Sequence, residues 1–96
     1  MNAETDFVSR NDKFQNLVNS LAEKSSSFGS NTESFKSSSF NGATSVEEKI
    51  KNQIGVIGEN INLRRIDSIN VDNGVVSGYI HNAVQENMGR IAVLVA

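Results

Sequence analysis

Ninety-six residues, with nine Lys and Arg against eleven Asp and Glu and no Cys, Pro or Trp, describe one small domain of intracellular type, because a chain of this size holds a single core. Without Cys there is neither a disulfide framework nor a thiolate metal site, and one His falls short of the usual ligand set for structural zinc. Residues 1–12 are acidic and polar, unlike a signal peptide, and no apolar run reaches membrane-spanning length, so a cytoplasmic protein is expected.

From Asn11 the apolar residues Phe14, Leu17, Val18 and Leu21 follow the i, i+3, i+4, i+7 series of a helix with one buried face. Asn11 or Asp12 suits the N-cap, with Lys13, Gln15 and Asn16 toward water, which predicts a helix over 11–23. Residues 25–44 are rich in Ser and carry too little apolar surface to offset the entropy of ordering, so they read as a flexible loop. Phe28, Phe35 and Phe40 are unusual in such a segment; they either tack it to the core or mark a short helix. Ser45 and Glu48 have capping-box spacing, and Val46, Ile50, Ile54 and Ile57 continue a second helix up to Gly58.

Beyond Gly58 the period becomes that of a strand. Ile61 and Leu63 alternate with Asn62 and Arg64, slip at Ile66 and resume at Ile69 and Val71, as a bulged strand does. Asp72-Asn73-Gly74 signals a hairpin turn, Val75 to His81 the return strand, and 82–89 a looser connection. The last run, Arg90 to Ala96, is apolar on both parities, the pattern of a central strand buried on both faces. The expected architecture is α+β: two helices, then a three-stranded antiparallel meander, with the helices on one face of the sheet. The abrupt start at Met1 and the stop within an apolar strand suggest an excised piece of a larger protein.

Enzymatic chemistry finds little support. No nucleophile stands beside a base, and the seven glycines lack nucleotide-binding spacing. His81 is either a base at a strand end or a plain surface residue. Arg64 and Arg65, with Lys51 nearby, could contact RNA, but a net charge of -2 gives no field to attract a polyanion. Phe7, between Asp6 and Ser9-Arg10, either packs inward or projects as an anchor into a partner.

Three blocks resemble one family. Asn2-Ala3-Glu4-Thr5-Asp6-Phe7-Val8-Ser9-Arg10-Asn11-Asp12-Lys13-Phe14 is similar to the N-C-E-T-D-F-V-A-R-N-D-x-F signature of bacterial elongation factor Ts. Ile57-Gly58-Glu59-Asn60-Ile61-Asn62-Leu63-Arg64-Arg65 resembles its I-G-E-N-I-x-(I/L/V)-R-R block, and Tyr79-Ile80-His81 with 89–95 its Y-x-H…G-R-I-G-V-L-V end. Ala3 stands where the family often has Cys, and 82–87 lengthen a turn that is usually compact. The resemblance covers the amino-terminal subdomain of the core. It implies that the amino-terminal docking domain, the second core subdomain and the strand before the first signature lie outside these residues. A sheet edge left open in that way promotes self-association.

The resemblance further implies a nucleotide exchange factor, not an enzyme, which needs no cofactor or metal of its own. Its partner would be the GTPase elongation factor Tu, with no direct contact to nucleic acid or membrane. Thr5, Asp6, Phe7 and Val8 match the family element that intrudes near the partner's Mg²⁺ and promotes GDP release. Phe7 is the implied wedge, Gly58 allows close backbone approach, and His81 matches a further contact residue. The alternative is an RNA- or ribosome-associated module that uses Arg64 and Arg65.

Overall fold

The computed structural model describes residues 1–85 and 87–96. A short strand β1 (Asn2–Ala3) leads into helices α1 (Asp6–Ser9), α2 (Asp12–Ser25) and α3 (Thr32–Ser37). Strands β2 (Ser39–Asn41) and β3 (Thr44–Ser45) precede α4 (Val46–Ile57), and β4 (Ile61–Asn62), β5 (Ser77–Gln85) and β6 (Met88–Val95) complete the chain.

Helices α2, α3 and α4 begin where side chains satisfy their free N–H groups. Asn11 Oδ1 accepts from Lys13 N at 2.8 Å and Phe14 N at 3.4 Å, so Asn11 caps α2. Ser45 Oγ accepts from Glu48 N at 3.1 Å at the start of α4. That helix ends at Gly58, whose φ of +84° is a left-handed C-cap conformation that a Cβ disfavours. The apolar faces meet: Phe14, Leu17 and Leu21 of α2, Phe35 of α3, Val46 and Ile50 of α4, and Val8, Ile61 and Leu63 form the core.

Residues 25–44, expected to be a flexible excursion, contain α3 and the β2–β3 hairpin. Two physical reasons account for this. The apolar surface is scarce but concentrated: Phe35 is fully buried, its ring 5.3 Å from that of Phe28, and Lys24 and Lys49 lie 5.2 and 5.5 Å from the centroid of Phe40. The serines also do structural work, since the hydroxyls of Ser25, Ser37 and Ser38 donate to the carbonyls of Ala22, Glu33 and Phe35 near helix ends. Gln15, expected to face water, is buried, and its amide donates to Ser9 O at 3.0 Å.

The fold is α+β, but not the expected two helices and three-stranded meander. Among the described residues four helices pack mainly on one another, beside three two-stranded antiparallel sheets. β1 pairs with β4, Asn2 opposite Asn62 and Ala3 opposite Ile61, and residues 63–76 hold no further strand. The Asn73-Gly74 turn fails because type I′ needs positive φ at both residues. Gly74 has φ +130°, and Asn73 is not among the residues with positive φ. Instead β5 pairs with β6 from Ser77 opposite Val95 to Gln85 opposite Met88, so strand occupies most of the expected 82–89 loop, in which Glu86 lies outside the described residues. Gly89 suits this pairing, since a Cβ there would lie 2.5 Å from Ile80 Cγ2 and 2.7 Å from His81 O. The final run is likewise not a buried central strand, for Ile91, Val93, Leu94 and Val95 are all exposed. Among the described residues β5 is the one strand paired with β6.

Candidate functional site

Thr5, Asp6, Phe7 and Val8 form the N-cap and first turn of α1, and the structure resolves the choice between packing and projection for the Phe7 side chain. Val8 is 3% exposed and seated in the core, whereas Phe7 is 84% exposed. Successive residues on a helix point about 100° apart, so burying Val8 turns Phe7 outward. An aromatic ring of that size left in water is informative because its burial elsewhere is worth about 1.5–3 kcal/mol.

Two contacts distant in sequence flank this turn. The Thr5 hydroxyl donates to Glu59 Oε2 at 2.8 Å, which joins α1 to the chain leaving Gly58. Arg90 of β6 forms an ion pair with the next residue, Asp6, Nη2 to Oδ1 at 2.9 Å. At its far end α1 is held through the Gln15 amide on Ser9 O. The sequence blocks around Thr5, Gly58 and Arg90 therefore converge on one place. Pattern reasoning did not select Gln15, Glu59 or Arg90. Glu59 and Arg90 carried a signal only through their membership of the second and third blocks.

His81 lies elsewhere on the same hairpin. It pairs with Ile91, and strand alternation turns these two away from the side chain of Arg90. The Tyr79 hydroxyl is 3.0 Å from His81 Nδ1, consistent with Tyr79 and His81 sharing that face. Arg64 and Arg65 are both exposed beyond β4. Between α1, α2 and β6 runs an open groove of about 870 Å³, lined in part by Ala3, Phe14, Val18, Gly89 and Ala92. Among the described residues no three His, Asp or Glu side chains gather as a metal site, and no helix is long and apolar enough to cross a membrane.

The arrangement is an exposed aromatic on a single helical turn, tied through Thr5 and Asp6 to Glu59 and Arg90, in a small α+β domain. The sequence model of the family described as Elongation factor TS matches residues 4–96. Elongation factor Ts of Ehrlichia canis (strain Jake) is 45% identical over 97 aligned positions, which cover 100% of this chain and 34% of that protein. The same factor of Rhizobium etli (strain CIAT 652) is 45% identical, covering 100% of this chain and 32% of the relative. That of Rickettsia typhi is 43% identical over 95 positions, 99% of this chain and 30% of the relative. The chain belongs to the elongation factor Ts family, and it spans about a third of the length of these curated relatives.

Proposed function

We propose that this chain is the part of a guanine nucleotide exchange factor that engages the GTPase elongation factor Tu during translation elongation in the cytoplasm. Thr5, Asp6, Phe7 and Val8 carry the contact. The observation behind this reading is the Phe7 ring, 84% exposed on a turn whose next residue is locked in the core, at the centre of the family's first signature.

The mechanism needs no bond made or broken by this chain. Mg²⁺ on a bound nucleotide keeps several water ligands and dehydrates reluctantly, so shifting the groups that hold those waters weakens nucleotide binding. Phe7 acts as a rigid apolar wedge between elements of the GTPase. Asp6 supplies hydrogen bonds or repels the phosphates. Gly58 has no side chain to obstruct approach beside Glu59, and His81 is a further contact from the hairpin. By linkage, a factor that loosens the nucleotide is itself loosened by it, so GTP with Mg²⁺ dissociates the exchange complex.

The test is release of a fluorescent GDP analogue from elongation factor Tu with this chain added. The wild-type chain accelerates release and Phe7→Ala does not, while thermal unfolding shows the two equally stable, as expected for an exposed position. Equal release with both would refute the reading. RNA contact through Arg64 and Arg65 draws support only from the exposure of those side chains, against a net charge of -2.

A further inference from the structure

Helix α1 is too short to hold itself. A helical nucleus fixes several dihedral angles for its first hydrogen bond, so a single turn is unfavourable in water. Thr5 has the extended backbone of an N-cap, φ −137° and ψ 162°, yet its side chain caps nothing. The hydroxyl is directed across 54 residues of sequence to Glu59. The backbone bonds of the turn are long, 3.3 Å from Ser9 N to Thr5 O and 3.2 Å from Arg10 N to Asp6 O. The two interior anchors, Val8 in the core and Gln15 on Ser9 O, both lie after Phe7. In the half of the turn that faces outward, the side chains of Thr5 and Asp6 bond to Glu59 and Arg90, and Ser9 Oγ donates to the Asp6 carbonyl at 2.9 Å.

We propose that Glu59 and Arg90 are positioning residues: they fix the first half of α1 through Thr5 and Asp6 and so present Phe7 in its binding orientation. The inference rests on the reading of residues 5–8 as the contact with the GTPase. Both tethers are exposed, the Asp6 and Arg90 side chains by 67% and 50%, so they add little to the stability of the fold. Their effect falls on association. A turn already ordered before encounter does not have to be ordered by the partner, and the saving appears as affinity. Because that saving is common to the complex and to its transition state, it moves KM and leaves kcat alone.

The experiment measures kcat and KM for fluorescent GDP release from elongation factor Tu, together with the thermal midpoint of each variant. Glu59→Ala and Arg90→Ala each raise KM by about 2–5-fold, the range of a surface pair, with kcat and the midpoint unchanged. Glu59→Gln keeps a carbonyl oxygen for Thr5, and Arg90→Lys keeps the charge beside Asp6, so both restore the wild-type KM. Arg90→Ala has no further effect in an Asp6→Asn background, nor Glu59→Ala in a Thr5→Val background, because each acts through its partner. Added salt narrows the ratio between wild type and Arg90→Ala but not that for Glu59→Ala. An unchanged KM, a fallen kcat, or an effect that persists in those backgrounds overturns the positioning role while Phe7→Ala still abolishes exchange. If Phe7→Ala exchanges like the wild type, the site reading itself fails, and this inference with it.

Discussion

The helical body and the β5–β6 hairpin obey the same rules of backbone pairing but treat their apolar side chains in opposite ways. In the body, Phe14, Leu17 and Leu21 of α2 close on Phe35, Val46 and Ile50, and each helix start has a side-chain cap except that of α1. In the hairpin the ladder is nearly continuous from Ser77 to Gln85, yet Tyr79, Ile91, Val93 and Leu94 remain in water. Hydrogen bonding alone thus completes an element without creating a core, since burial of apolar area is the larger favourable term. The contrast also shows in the dimensions. The radius of gyration is 13.9 Å, against about 12.5 Å for a compact domain of this length.

Substitutions in the two regions should therefore have unequal consequences. Phe35→Ala empties the centre of the body and costs about 3–5 kcal/mol, seen as a fall of more than 10 °C, roughly, in the thermal midpoint. Ile91→Ala on the hairpin stays within about 0.5 kcal/mol in the same measurement, and an equal loss at the two positions would erase the distinction. A subtler break is Gly89→Ala, which sets a methyl against Ile80 and the His81 carbonyl. It removes about 1–3 kcal/mol of local stability, read as faster amide hydrogen exchange in β5 and β6 while the amides of α2 and α4 keep their protection. A smaller effect than that of Gly89→Ala sharpens the account of the body. Ser45→Ala removes the cap of α4 and costs about 0.5–2 kcal/mol, with Ser45→Asn restoring it in chemical denaturation.

Local signals in the sequence located what depends on neighbours along the chain. The 3.6-residue spacing placed α2 and α4, Asn11 or Asp12 and Ser45 marked their starts, and Gly58 marked a stop, because caps and amphipathic faces act within one or two turns. The site was legible in the same way. The block around Phe7 stood out, but the residues alone left open whether its ring faced in or out. Burial of Val8 settles that orientation, and it depends on a core assembled from α2, α3, α4 and residues 61–63.

What the sequence determined by itself was the composition class, the two longer helices, the family blocks and the candidate contact residues. Tertiary structure decided the rest. It decided that three phenylalanines organise a serine-rich stretch, that residues 63–76 leave the meander unformed, and that Glu59 and Arg90 meet the turn bearing Phe7. The reason is range. Caps and periodicity are properties of adjacent residues, whereas the β1–β4 pairing and the exposed tethers join residues 54 and more positions apart, which no local pattern encodes.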